Sequence, residues 1–354
     1  MKLGFLPENL VERFAKIAGL VPVPLLDTFH TLLYARAIMA ATKLGVFEAL
    51  EAAPATAEEV AGRCGTDPRA TRSLLDAVTG TGYLRFSAGR YALAPVARKW
   101  LLESSPRSLR DNVIFRYMEW EIIGGIEDFV RTGKPLHVHE EFDSTRWEIY
   151  QRGMRSLAGL SATEVARRVP VPRGATALLD IGGSHGFYSV CLCRRHSGLR
   201  STILDLPEAV EHAAPILAKE GMGERVVHRP GNALTDDLGE SAWDVVFVAN
   251  LNHHFDAATN AALARRVARA LRPGGCYVNL EILRRDSPDE PGQTGALLNA
   301  YFALTSESGT WSLAEMAGWQ REAGLEPHKP IRLATLPGGG LQAALKPVVG
   351  VRAG

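Results

Sequence analysis

The sequence predicts an α/β protein in which a doubly wound, mostly parallel sheet follows a largely helical N-terminal region. Three observations carry this. Strand-like and helix-like segments alternate from Ala177 to the C-terminal region. The first of those strands ends in a glycine-rich turn. Val169-Pro170-Val171-Pro172-Arg173-Gly174 stands before the alternation, and two prolines with a glycine end a helix and make a linker. A chain of 354 residues exceeds one ordinary core. The expected division is a helical, winged-helix-like domain over 1–110, connecting helices over 111–170 and the sheet domain over 171–354.

Composition narrows the function classes. Hydrophobic residues make up 46% and charged residues 22%, with a formal net charge of +1, so no global field draws the chain to nucleic acid or an anionic membrane. Four cysteines are too few for a disulfide framework in so long a chain. Cys191 and Cys193 form C-x-C on a helix-like segment, which reads as structural thiols and not as a metal site. Glu8 and Glu12 stand where a signal peptide needs an apolar run, and no later stretch is long enough to span a bilayer. The expectation is a cytoplasmic protein that binds no membrane.

In the N-terminal part, Leu25 to Ala40 and Ala41 to Leu50 carry apolar residues at helical spacing, with Gly45 as a break. Thr56 and Glu59 have the spacing of a capping box. Asp67-Pro68 supplies a cap and a first-turn proline for a helix that stops at Gly80. Tyr83 to Leu93 reads as two short strands about a turn. This is the winged-helix order, which admits DNA binding or packing against a partner subunit. Arg69, Arg72, Arg85 and Arg90 make a thin phosphate-binding surface, so packing against a partner is the preferred reading.

From Asn112 to Arg168 the helices are rich in large side chains, among them Trp147, Tyr150 and Met154, which suit a core or the wall of an apolar substrate pocket. His137 and His139 fall in a segment that reads as a solvated loop. The alternation then runs as strand Ala177–Ile181, helix Phe187–Arg195, strand Ser201–Leu204, helix Pro207–Lys219, strands Arg225–His228 and Trp243–Ala249, helix Ala258–Leu271, strand Cys276–Ile282 and helix Leu313–Ala323. Residues near Ile331 and Leu341 close the sheet. Ligands of such sheets bind beyond the carboxyl ends of the strands.

Chemistry-bearing residues gather at those ends. Asp180-Ile181-Gly182-Gly183-Ser184-His185-Gly186 joins a buried strand to a helix, so glycines admit a close ligand and the helix offers free N–H groups. Ser184 stands where the dinucleotide fingerprint wants its second glycine. The acid before the loop suits a ligand with an ammonium group better than a phosphate. Asp205, closing the second strand, can accept ribose hydroxyls or cap the helix at Pro207. The third strand leads to Gly231-Asn232-Ala233, a turn suited to an adenine. The fourth leads to Asn250-Leu251-Asn252-His253-His254-Phe255-Asp256.

With D-x-G-G-x-x-G, L-D-L-P, G-N-A, H-x-F-D and R-P-G-G in this order, the chain resembles the S-adenosylmethionine (SAM)-dependent O-methyltransferases of the plant caffeate and bacterial small-molecule type. The resemblance runs from about Leu25 to about Ala344. It implies a class I methyltransferase, Rossmann-like sheet domain and a helical winged-helix dimerisation domain that forms a homodimer. It also implies SAM as cofactor, S-adenosylhomocysteine as product, and a small aromatic or polyketide-like acceptor from secondary metabolism. Gly182, Gly183 and Gly186 then line the methionine end of SAM, Asp205 with Leu206 the ribose, and Gly231, Asn232 and Ala233 the adenine, with Asp180 and Asn250 beside them. His253 falls on the catalytic base and Glu281 on the carboxylate that orients it. A neutral imidazole suits removal of a hydroxyl proton near neutral pH.

This sequence departs from the family at several points. His253-His254-Phe255 replaces His-Asp-Trp, so either histidine is a candidate base. Asn232 stands for an aspartate, Ala249-Asn250 for a basic residue and Thr310 for the second acid, with Glu307 nearby. Trp147, Tyr150 and Met154 are expected on one wall of the acceptor pocket, and Leu298, Asn299 and Phe302 on the other, with Asn299 as the polar group able to orient a substrate. No metal site is expected. The departures leave C- or N-methylation of an electron-rich ring as the alternative, ahead of a SAM binder without transfer or a SAM-sensing winged-helix regulator.

Overall fold

The computed structural model describes residues 4–285, 287 and 292–348, and the chain forms two compact units that divide between Tyr117 and Met118.

The N-terminal unit contains α1 (Leu10–Ile17), α2 (Val23–Leu25), a single π turn over Leu26–His30, α3 (Thr31–Lys43), α4 (Val46–Ala49), α5 (Ala57–Cys64), α6 (Pro68–Gly80), the hairpin β1 (Leu84–Ser87) and β2 (Arg90–Leu93), and α7 (Pro95–Trp100). Local chemistry sets these boundaries. Gly45, at φ +76°, separates α3 from α4 in a conformation glycine adopts without strain. The Thr56 hydroxyl accepts from the Glu59 N–H while the Glu59 carboxylate accepts from the Thr56 N–H, completing the capping box that starts α5. Asp67 caps α6 by accepting from the Ala70 N–H at 2.8 Å. Ala88 and Gly89 both take positive φ, the backbone a two-residue hairpin turn requires. Phe47, Leu50, Val60, Leu75, Val78 and Tyr91 fill the core beneath. Burial of each large apolar side chain there is worth about 1.5–3 kcal/mol. Two of the arginines that would meet DNA phosphates are paired instead, Arg72 with Glu58 at 2.6 Å and Arg90 with Glu59 at 2.9 Å.

Helix α8 (Arg110–Ile123) spans the division. The second unit continues with α9 (Ile126–Thr132) and α10 (Ser144–Arg168). Its sheet strands are β3 (Ala177–Ile181), β4 (Arg200–Asp205), β5 (Val226–Pro230), β6 (Trp243–Ala249), β7 (Leu271–Ile282), β8 (Glu326–Pro327), β9 (Ile331–Arg332) and β10 (Gly339–Leu345). Its remaining helices are α11 (Phe187–Arg195), α12 (Pro207–Ala218), α13 (Ala257–Ala270), α14 (Gln293–Thr305) and α15 (Leu313–Glu322). The sheet order is β5-β4-β3-β6-β7-β10-β8, with β9 also paired to β10. Pairing from β5 to β7 is parallel, and β10 returns antiparallel to β7. Strand β7 starts at Leu271, five residues before the expected Cys276, because Leu271 already pairs with Trp243 across a register shift.

Both faces of the sheet are covered. On β3 and β6, Leu178, Val245 and Phe247 enter one core while Leu179, Ile181, Val246 and Val248 enter the other, as period-two strands buried on both sides must. The order reverses about β3, whose neighbours are β4 and β6. That topological switch point is where open α/β sheets leave a crevice for a ligand. No helix among the described residues is long and apolar enough to cross a membrane.

Candidate active site

The ends of β3, β4, β5 and β6 lie side by side along this edge of the sheet. After β3, Gly182 (φ +66°) and Gly186 (φ +70°) turn the chain into α11. A Cβ on Gly183 would lie 2.6 Å from the Asp180 carboxyl carbon, so the carboxylate is overlain by bare backbone. The Asp180 side chain is buried; Oδ2 accepts from the Ser189 hydroxyl at 2.6 Å, and Oδ1 has no hydrogen-bond partner among the described residues. Burial, opposed by that bond, pushes its carboxyl up to about 7. Asp205 closes β4 and accepts from the Ser184 N–H at 2.7 Å and the Leu206 N–H at 2.8 Å. Burial raises it to about 6 against those two bonds.

Ser184 holds φ +51°, a strained value for a residue with a side chain. Its hydroxyl donates to the Gln151 side-chain oxygen and its carbonyl oxygen lies 2.8 Å from His228 Nε2. His185 is a buried structural group: its Nδ1 accepts from the Phe187 N–H at 3.0 Å, at the start of α11. Burial, with Arg155 and His228 adding to it, lowers it to about 3, so it stays neutral and able to accept.

The loop after β5 differs from what the sequence suggests for Asn232. This residue is exposed, its Oδ1 accepts from the Leu234 N–H at 2.9 Å, and its own N–H goes to Asp236 at 3.0 Å. The amide oxygen is therefore spent on an Asx turn. Gly231 donates its N–H to the Asp205 carbonyl, and a Cβ there would meet Asp236 at 2.4 Å. Leu206 is 45% exposed beside Asp205, and Ala233 is half-buried, its carbonyl accepting from Arg266. Asn250 takes φ +50° at the end of β6 and donates its N–H to the Leu280 carbonyl.

Beyond β6, Asn252–His254 form one 3-10 turn. His253 Nδ1 lies 3.0 Å from Glu281 Oε2, and both side chains are buried. The other carboxylate oxygen accepts from the Asn252 N–H at 2.7 Å. The Asn252 side chain is tied to Asn260 and Asn279, and its carbonyl receives the Trp311 indole N–H, so the turn is held from several directions. Sequence reasoning did not reach this asparagine lattice, because its members lie on separate elements. Phe302 covers the His253 ring at 3.9 Å between centroids, and His254 lies at 4.3 Å on another side. The His254 Nδ1 meets the Ser306 hydroxyl at 3.0 Å.

The structure overturns the solvated-loop reading for His139 and keeps it for His137, which is exposed 3.4 Å from Glu307. His139 is enclosed by Phe142, Trp147, Tyr150 and His254, with ring centroids 4.9–5.7 Å away. Burial, then the neighbouring His253, lowers it to about 4. Burial, then His253 and His139, lowers His254 well below the usual histidine range. Tyr150 is raised by burial and by Asp205. Met154 and Leu298 are half-buried on α10 and α14. Asn299 is half-buried too, but its Oδ1 accepts from Thr310 N–H (3.0 Å) and Oγ1 (2.7 Å), so this oxygen secures a turn and is not free for a substrate. Thr310 therefore supplies a structural hydroxyl to this turn.

Residues 115–325 match the model of the O-methyltransferase domain, and residues 26–103 match the O-methyltransferase dimerisation domain. The 3-hydroxy-5-methyl-1-naphthoate 3-O-methyltransferase of Streptomyces sahachiroi is 30% identical over 92% of this chain and 95% of its own length. This chain belongs to the O-methyltransferase family. The L-tyrosine C(3)-methyltransferase of Streptomyces lavendulae is 27% identical over 82% of both chains. Human N-acetylserotonin methyltransferase, solved in complex with SAM, has the same fold, with a TM-score of 0.82 at 18% identity over 92% of this chain and 97% of that one.

The protein is thus a SAM-dependent methyltransferase with a class I fold and an N-terminal dimerisation domain. Its switch point fits the cofactor. A buried carboxylate oxygen without a partner, beneath glycine backbone that a Cβ would fill, suits a cationic ligand pressed against the loop. When bound, SAM supplies an electrophilic methyl group on a sulfonium.

Proposed function

We propose that this methyltransferase acts on the hydroxyl of a small, planar aromatic natural product, with His253 as the general base and Glu281 as its orienting partner. The observation that carries the reading is the buried His253–Glu281 pair at 3.0 Å. An ionised carboxylate only accepts, so Nδ1 carries the proton and Nε2 is left as the proton acceptor. His254, paired with Ser306 and held neutral by burial, is the flanking residue and not the base. Phe142, Trp147, Tyr150, Phe302 and two neutral imidazoles suit a flat aromatic ring. Met154 and Leu298 extend its apolar walls.

In the same reading Asp180 accepts the cofactor's ammonium, Gly182, Gly183 and Gly186 admit its methionine end, and Asp205 with Leu206 takes the ribose. Gly231, Ala233 and Asn250 shape the adenine side, while Asn232 offers only its amide N–H₂ there. Displacement at a methyl carbon needs positioning and exclusion of water, which an enclosed aromatic site provides. The N-terminal unit pairs two copies of the chain: α1 buries none of its side chains, and Leu10, Phe14 and Ile17 are 66–81% exposed.

A second reading, methylation of ring carbon, is favoured by Thr310, which leaves Glu281 as the carboxylate on the histidine, and by the tyrosine C(3)-methyltransferase among the relatives. The test is incubation with methyl-labelled SAM and a panel of hydroxyarenes, locating the label by NMR. Label on oxygen supports the first reading. Label on carbon replaces it with the second, and no transfer to any hydroxyarene sinks both.

A further inference from the structure

Gln151 is fully buried on α10, four residues after Trp147 and next to Tyr150, so the helix that walls the aromatic cluster also carries this amide. Its side-chain oxygen accepts the hydroxyl of Ser184 in the loop between β3 and α11. Ser184 is the loop residue that most needs holding. It sits at φ +51° where glycine would relax, and it is fixed from three directions: its N–H by Asp205, its carbonyl by His228 and its hydroxyl by Gln151. Asp205 and Gln151 lie on different elements, yet both act on this one residue. The aromatic side chains on the same helix contact His139, which in turn contacts His254.

We propose that Gln151 is a positioning residue that pre-organises the cofactor loop from the acceptor-pocket helix through Ser184, so that filling the SAM site and ordering α10 favour each other. The inference rests on reading that loop as the SAM site. Without the Gln151–Ser184 bond, the strained loop relaxes and the ligand must reimpose its order, which weakens binding. The coupling is reciprocal, because linkage between two binding equilibria has no direction.

The test titrates S-adenosylhomocysteine calorimetrically into the full-length wild type, Gln151→Met, Ser184→Ala and the double variant. Amide exchange of residues 144–155 is followed with and without the ligand. The wild type is expected to bind and to slow exchange along this stretch. Each single variant is expected to bind about ten-fold more weakly and to lose that slowing. The double variant is expected to be no worse than the weaker single, because both remove the same Gln151–Ser184 bond, while Gln151→Met gives up in addition the 3.5 Å bond its amide donates to the Ala209 carbonyl. Unchanged affinity in the single variants, effects that multiply in the double, or slowing that survives in the variants overturns the proposal. If Gln151→Met fails to fold, Ser184→Ala decides alone. Absence of binding by the wild type brings down the cofactor assignment itself, whereas wild-type binding with unaffected variants brings down only the coupling.

Discussion

His253 and Glu281 lie on elements 28 residues apart in sequence, yet their side chains meet at 3.0 Å in a buried pair. The carboxylate is held in turn by the Asn252 N–H, so the same turn that presents the imidazole also aims its partner. Such an arrangement fixes the tautomer and the ring plane before any substrate arrives.

The pair should therefore fail as a unit. His253→Ala is expected to lower kcat about 10²–10⁴-fold, the range of a positioned general base. Glu281→Gln is expected to fall within that range as well, since an amide can donate to Nδ1 and favour the wrong tautomer. His254→Ala should act mainly on KM for the acceptor. Rates measured with labelled SAM on any hydroxyarene the wild type methylates decide this. Full turnover in both His253→Ala and Glu281→Gln removes the base from the mechanism and leaves positioning alone.

If Asp180 receives the cofactor's ammonium as proposed, cofactor binding should depend on pH. Its pKa is pushed up to about 7 in the free protein, above the ordinary value of about 3.9. The unfolded chain loses this proton first, so burial costs stability as pH rises from about 4 to about 7, and the cost levels off above that. A cation beside Oδ1 favours the ionised form, so SAM binding should release a proton and tighten by up to about ten-fold per unit between pH 5.5 and 7. Asp205, raised to about 6, adds to the lower part of this window. Calorimetry in two buffers of different ionisation enthalpy measures the released proton. A flat profile in the wild type contradicts the account, and Asp180→Asn should flatten whatever slope exists above pH 6.5.

Glycine at 183 is required by the same carboxylate. A methyl group there would sit 2.6–2.9 Å from three atoms of Asp180, against a fully packed strand end. Gly183→Ala is expected to cost about 1–3 kcal/mol of stability, as overpacking does, and to abolish the thermal shift with S-adenosylhomocysteine. Gly62→Ala, inside α5 where a Cβ meets nothing within 4 Å, should leave the ligand-induced shift unchanged and raise stability by about 0.5–1 kcal/mol. A ligand-induced shift that persists in Gly183→Ala would show that the loop binds its ligand elsewhere.

What the sequence disclosed follows the range of the interactions. The capping box at Thr56–Glu59, the Asp67 cap and the strand over Ala177–Ile181 are set within a few residues, and they lie where the pattern puts them. Asp180, Asp205 and Asn250 lie at the ends of β3, β4 and β6, where the alternation of strands and helices puts them, so topology alone brings residues from distant parts of the sequence to one edge of the sheet. His139 was not legible. Of its ring neighbours only Phe142 is close in sequence; Trp147, Tyr150 and His254 come from α10 and from the turn after β6, so its enclosure depends on the fold. The Asn299–Thr310 pair was hidden for a related reason. An asparagine oxygen looks available until the turn that consumes it is placed eleven residues away.

His139 offers the clearest separation of the acceptor from the cofactor. Its ring stacks with Trp147 at 5.7 Å and touches His254 at 5.0 Å, so it joins the helical wall to the turn that carries His253. It is held neutral down to about pH 4, so it contributes an aromatic face and a dipole instead of a charge. His139→Ala removes four ring contacts and opens space beside Tyr150. Aromatic pairs of this kind are each worth about 0.5–1.5 kcal/mol beyond their buried area. KM for the acceptor should then rise about ten-fold or more, with little change in the affinity for S-adenosylhomocysteine. His139→Phe, which keeps the ring and discards the imidazole nitrogens, should restore most of the loss if packing is what matters. A variant in which KM is unmoved while cofactor affinity collapses would place His139 on the cofactor side of the site instead.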